Sequence, residues 1–114
     1  RHFVARARVN GAEALFLVDT GASRVTLTAD TARDAEIDVT QLVYSTQVRT
    51  ANGIANVAPV TISSLEIGPA RFADVAAFVA PEGLLDFDLL GVSALDRLES
   101  YEVRGDEMIL RLHD

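Results

Sequence analysis

The chain has 114 residues, a length that suits one domain and is short for two. Its residues are 49% hydrophobic and 24% charged, enough to bury a core, and its net charge of -7 disfavours binding to a phosphate backbone. Cysteine is absent, which excludes a disulfide framework, a thiolate metal site and a thiol nucleophile while leaving the compartment open. All basic residues are Arg, so a lysine-bearing phosphate loop is impossible. No run approaches the roughly 18 apolar residues of a membrane-spanning helix. The sequence opens at Arg1 and not at Met, so a leader or membrane anchor is expected to lie outside it.

In chain order the dominant period is two. Phe3, Ala5, Ala7 and Val9 share one side of a strand, and Arg6 and Arg8 lie on the other, a solvated face together with Arg1. Asn10-Gly11 is a strong hairpin signal, because a type I′ turn needs positive φ at both central residues. The return strand Ala12–Val18 ends in Leu15-Phe16-Leu17-Val18, apolar on both faces, and is placed inside a sheet or between layers. Thr28–Ala35 reads as a short helix with Thr28 as N-cap. A second hairpin spans about Leu42 to Glu66 and turns at Asn52-Gly53; its tip is small and polar, so it is expected to project and move. Gly68-Pro69 marks a turn, Arg71–Val79 a strand, and Pro81-Glu82-Gly83 a break before Leu84–Leu90. Ser93–Leu98 reads as a helical turn, and Tyr101–Leu112 as a last hairpin turning at Gly105-Asp106. Many short strands and two brief helices predict an all-β, barrel-like domain over residues 1–114.

One place breaks the alternation. The apolar strand runs straight into Asp19-Thr20-Gly21-Ala22-Ser23, although strands avoid Asp and Gly and a carboxylate there is costly to desolvate. A turn at Gly21 would bring backbone amides to the carboxylate. The plain alternative is an Asx-type turn that merely ends the strand. The tripeptide is a weak signal by itself, and Leu89-Leu90-Gly91 downstream strengthens it.

With these segments in order, the chain resembles the retropepsin family of aspartic proteases, most of all its bacterial single-domain branch. Asn10-Gly11 is similar to the hairpin before the active-site strand, and Leu17–Ser23 to the active-site loop. Thr50-Ala51-Asn52-Gly53 resembles the tip of the flap hairpin, and Leu89-Leu90-Gly91 the family's hydrophobic-hydrophobic-Gly signature. The resemblance implies a retropepsin-like acid-protease barrel with a flap and one or two short helices. It also implies an aspartic endopeptidase without metal or cofactor, acting on protein or peptide substrates and not on nucleic acid. Asp19, Thr20 and Gly21 would be the catalytic triplet. Ala22, Ala51, Asn52, Gly53, Ile54 and Leu89 would contact substrate, and Leu17 is a further candidate for a pocket wall.

Hydrolysis by this route activates water between two carboxylates that share one proton, as in aspartic-protease dyads generally. No second Asp-Thr-Gly or Asp-Ser-Gly is present. Asp86 and Asp88 could tempt an intrachain pairing, but their segment reads as a surface loop or strand end. The second carboxylate is therefore expected from Asp19 of another copy, in a homodimer about a two-fold axis. Retroviral subunits carry an Asp–Arg pair where this chain has Ser23 and Val92, a support missing here. The rival reading is a non-catalytic retropepsin-fold binding module, since fold does not entail function. Resemblance to the bacterial branch implies a periplasmic domain held at the inner membrane by an N-terminal helix outside this sequence.

Overall fold

The computed structural model describes residues 3–19, 21–50, 53–91, 100–104 and 107–111, the last two stretches as backbone. Strands β1 (Phe3–Val9) and β2 (Ala12–Val18) form an antiparallel hairpin, paired from Phe3↔Val18 to Val9↔Ala12. Asn10 and Gly11 take φ of 51° and 86°, the positive pair that a type I′ turn needs. Ala7 and Val9 are buried while Arg6 and Arg8 face solvent, so the period-two pattern separates core from surface as expected. The apolar end of β2 is less enclosed than its composition suggests. Phe16 is fully buried, but Leu15 is 48% exposed, because successive strand residues point to opposite faces and Phe16 takes the interior one.

Strand β3 (Val25–Leu27) leads into helix α1 (Ala29–Asp34). The N-cap is Thr28, whose hydroxyl accepts from the Thr31 amide at 3.2 Å. The helix ends with Glu36 at φ 63°, the Ile37 amide bonded to the Ala32 carbonyl and the Glu36 amide to the Arg33 carbonyl, which is a Schellman stop. Ala29, Ala32 and Ala35 form its buried face, small enough for the helix to lie close against the strands. A 3-10 turn follows at Val39–Gln41.

Strands β4 (Thr46–Thr50) and β5 (Gly53–Ile67) make the second hairpin. Thr50 pairs with Gly53, so residues 51 and 52 connect the strands and Gly53, at φ 115°, opens β5. The Asn52-Gly53 turn expected from sequence is thus shifted by one position, and those two connecting residues lie outside the described ones. β5 pairs with β6 (Ala70–Val79) along most of its later length. Strand β7 (Asp88–Leu90) is short. β8 (Ser100–Arg104) and β9 (Glu107–Arg111) pair as the expected last hairpin, while its turn and the helical turn expected over Ser93–Leu98 lie outside the described residues.

The strands run in the order β1-β2-β7-β3-β6-β5, and β5 returns to pair with β1, which closes a six-stranded barrel with β4 hanging from β5. Closure leaves few unpaired edges. The interior holds Val9, Phe16, Leu27, Ile62, Leu65 and Leu90 at zero exposure. The all-β, barrel-like expectation therefore stands. Among the described residues two pairings are parallel, β2 with β7 and β3 with β6, and no hairpin signal could announce them.

Asn10 ties the first hairpin to two distant elements. Its amide donates to the Ser64 carbonyl at 2.8 Å, its Oδ1 accepts from the Ser64 amide at 3.1 Å, and its Nδ2 donates to the Ala35 carbonyl at 3.2 Å. Asn10→Gly keeps the turn conformation and removes only the side-chain bonds. It should lower unfolding free energy by about 1–2 kcal/mol, with an unchanged denaturant slope in urea titrations.

Candidate functional site

The loop carrying Asp19 is suspended from β7. β2 ends at Val18, which pairs in parallel with Leu90, and the Asp19 amide donates to the Leu90 carbonyl at 3.0 Å. The chain then folds back, with the Ala22 amide donating to the Asp19 carbonyl at 3.2 Å. The Gly21 amide donates to Asp19 Oδ1 at 2.9 Å, so one carboxylate oxygen is held by the turn that the sequence placed there. This contact is an Asx-type turn in form. It leaves Oδ2 without a hydrogen-bond partner among the described residues, on a carboxylate that lines a cleft. A Cβ on Gly21 would stand 3.2 Å from Oδ1, tighter than ordinary packing, so glycine here also makes room for the carboxylate.

Gly91 explains why the downstream signature ends in glycine. A Cβ there would meet the Arg24 carbonyl group, coming within 2.7 Å of its carbon, and would lie 2.8 Å from the Ala22 oxygen. All of these are backbone atoms and none can swing aside. β7 and the loop after Asp19 therefore pack main chain against main chain, and the carboxylate's position is set by that contact.

Asp88, at the start of β7, differs from the surface position expected for it. It is 5% exposed, and both its oxygens are engaged: Oδ1 accepts from the Thr28 amide at 2.8 Å and Oδ2 from the Thr31 hydroxyl at 2.7 Å. The carboxylate thus caps the first turn of α1, where exposed amides and the helix dipole favour a negative charge. Burial of this group is compensated by hydrogen bonding, and its oxygens are not directed at Asp19. Asp86 remains exposed.

The cleft has a volume of about 730 Å³. Asp19, Gly21, Ala22 and Ser23 lie along its floor, Thr26, Phe78 and Leu89 form one wall, and Leu84 and Leu85 come from the loop before β7. The β4 stretch Gln47–Thr50 and the buried Val57 of β5 supply the opposite side. Among the expected site residues, Asp19, Gly21, Ala22 and Leu89 are brought together here. Leu17 is half-buried outside the cleft, and Gly53 and Ile54 are exposed on the β4–β5 hairpin without lining it, Ile54 at 67%. Thr20, Ala51 and Asn52 lie outside the described residues. Thr26, Phe78, Leu84 and the β4 residues did not stand out in sequence. Alternation within β3 and β4 carried the one usable signal, since Thr26 sits between the core residues Val25 and Leu27 and must face away from them.

A second depression, lined by Arg6, Arg8, Glu13, Leu15 and Glu66, lies on the outer face of the first hairpin and holds none of the expected site residues. Among the described residues no group of His, Cys, Asp and Glu is arranged to hold a metal ion.

Two substitutions test this framework. Gly91→Ala should lower stability by about 3 kcal/mol in denaturant unfolding, because the clash is with backbone. Asp88→Ala should cost about 2–3 kcal/mol, with Asp88→Asn intermediate because its amide oxygen can still accept one bond.

A family model described as "gag-polyprotein putative aspartyl protease" matches residues 5–97. Among curated proteins, an uncharacterized protein from the cobV 5′ region of a Sinorhizobium species is 43% identical over 110 residues, covering 96% of this chain and 47% of that protein. An uncharacterized protein of Rickettsia prowazekii is 38% identical over 109 residues, covering 96% of this chain and 46% of that protein. The chain thus spans about half the length of these relatives. A crystal structure of a retropepsin-like aspartic protease from Rickettsia conorii superposes with a TM-score of 0.87 at 38% identity, over 97% of this chain and 83% of that one. The protease of EIAV, in complex with the inhibitor HBY-793, shares the fold at a TM-score of 0.74 and 16% identity, over 91% and 94% of the two chains. With the family model spanning residues 5–97 and the whole barrel superposing on a relative 38% identical, the chain belongs to the retropepsin-like aspartyl protease family.

Proposed function

We propose that the chain is the subunit of an aspartic endopeptidase, completed when two copies bring their Asp19 carboxylates together. The observation that carries this reading is the Asp19 carboxylate itself, held through one oxygen by the Gly21 amide on the floor of a peptide-sized cleft. A purely structural Asx turn would not require that the carboxylate line a cleft beneath a hairpin.

The chemistry follows from pairing. One carboxylate of the dyad is ionised and takes a proton from a bound water as its oxygen attacks the scissile carbonyl carbon. The other, protonated, donates to the carbonyl oxygen, giving a neutral tetrahedral diol. Collapse of the diol breaks the C–N bond. The protonated member of the dyad gives its proton to the departing nitrogen while the ionised member takes one from a diol hydroxyl, so the carboxyl product forms and the dyad is again singly protonated. Like charges at such distances cannot both ionise, so the pair shares one proton and titrates as a unit.

In this reading Thr20 stabilises the two loops at the axis, and the Gly21 and Ala22 backbone meets the substrate main chain. The β4–β5 hairpin acts as a flap: Ala51, Asn52, Gly53 and Ile54 descend over an extended peptide and exclude water, and Leu89 walls a side-chain pocket. The exposure of Ile54 gives that hairpin apolar surface to bury on closing. The reading also places the domain in the periplasm, tethered by an N-terminal helix outside this sequence, and fractionation of cells producing the full-length protein tests it.

Peptide cleavage should fall at least about a thousandfold in Asp19→Asn, with the fold retained by circular dichroism, and should be unaffected by metal chelators. Specific activity should drop on dilution in parallel with dissociation seen by sedimentation, because a lone carboxylate cannot complete the dyad. Peptide binding without cleavage by wild type would favour a non-catalytic peptide-binding module, equal cleavage by wild type and Asp19→Asn would reject Asp19 as the catalytic group, and full activity in a strict monomer would reject the shared site.

A further inference from the structure

We infer that the cleft selects peptides with an acidic side chain close to the scissile bond, and that Arg24 is the residue that reads it, with Arg49 as a second cation on the opposite side. The inference rests on the proposed function for a peptide ligand, a scissile bond at Asp19 and a site built from two copies.

Val25 and Leu27 of β3 have no exposure and belong to the core, so Thr26 between them faces the other way and lines the cleft. Arg24 is half-buried in the bend just before β3, at the edge of the cleft and not in its lining. The parallel register with β6 sets Thr26 beside Phe78, whose ring also lines the cleft. The Arg24 guanidinium carbon stands 4.6 Å from the centroid of that ring. A guanidinium seated on an aromatic face is orientationally fixed and keeps its N–H donors in plane, the geometry that meets a carboxylate with paired hydrogen bonds.

The charge pattern agrees. Arg8 pairs with Glu13, and Arg33 with Asp30 and Glu82. Among the described residues Arg6, Arg24, Arg49 and Arg71 have no carboxylate partner, Arg71 bonding Ser64 instead, and of these Arg49 lines the cleft and Arg24 packs on a ring that lines it. Arg49 lines the cleft from β4, and Asp19 is the acidic residue lining it among those described. Val48, Val57, Phe78 and Leu89 make the remaining walls largely apolar. A side chain lying along Phe78 therefore meets hydrocarbon along its stem and, where it reaches the cleft edge, the Arg24 cation seated on that ring, which fits Glu better than any neutral residue. In a two-copy site each half supplies an Arg24, so one acidic side chain is favoured on each side of the cleaved bond.

The test uses peptide pairs differing only by Glu or Gln at each of the three positions flanking the scissile bond on either side. Assays run at low salt above about pH 5, where a Glu side chain is ionised. Wild type should favour Glu by about tenfold or more in kcat/KM at one position per side, a ratio that shrinks with added salt. Arg24→Met keeps a stem on Phe78 without the charge and should bring the ratio near one. Arg24→Lys should retain part of it, and Arg24→Glu should turn the preference toward Lys. Equal kcat/KM for Glu and Gln peptides in wild type overturns the inference and leaves the protease reading intact. If no peptide is cleaved, binding of the same peptides measured by calorimetry separates the two claims. A Glu preference in binding that Arg24→Met abolishes supports the inference while the protease reading falls, and binding without preference overturns the inference too. Because the wild-type comparison alone can overturn it, loss of fold in one variant does not rescue it.

Discussion

The position of Asp19 depends on how closely β7 approaches the loop that follows β2. The parallel pairing of Val18 with Leu90 carries the strand to its end, and the Leu90 carbonyl takes the Asp19 amide. Immediately beyond, Gly91 lies against the backbone of Ala22 and Arg24 with no room for a side chain. A carboxylate on a free loop would sample many positions. Here the loop is clamped between its own turn at Gly21 and a strand from the far end of the barrel, so its conformational freedom is removed in advance.

That strand must itself be held, and Asp88 holds it. Its two oxygens bind the amide and the hydroxyl of the first turn of α1, so the helix, β7 and the Asp19 loop form one connected unit. The alanine face of α1 lets the helix come close enough for a side chain as short as aspartate to span the gap. The buried acid and the cleft acid play opposite parts. Asp88 spends both oxygens on hydrogen bonds at a helix terminus, whereas one oxygen of Asp19 has no partner among the described residues.

The cleft walls come from elements chosen for other reasons. β3 and β6 turn one face to the core and present Thr26 and Phe78 with the other, and β4 reaches across from the hairpin that extends beyond the barrel. β5 serves both regions: its first residues pair with β4 and its later ones with β6 and β1. Pro59 falls between the β4-paired and β1-paired stretches, where β5 has a neighbour on one side and a missing amide donor is tolerated. The β4-paired end of β5 is thus set apart from the stretch that closes the barrel.

Features that depend on near neighbours were legible in the amino-acid order. Alternation placed Ala7 and Val9 inside, Asn10-Gly11 adopted its positive-φ turn, Thr28 capped α1, and the Asp19–Gly21 turn formed where an apolar strand met Asp and Gly. Each is encoded within a few residues, where backbone sterics and local hydrogen bonds decide the outcome. Tertiary structure alone decided that β2 and β3 find parallel partners, that Asp88 is buried, and that Arg24 lies over Phe78. Asp88 and Thr28 are 60 residues apart, and nothing in either segment names the other. Parallel pairing needs a long crossover and leaves no turn signature, so those contacts exist only once the barrel has closed.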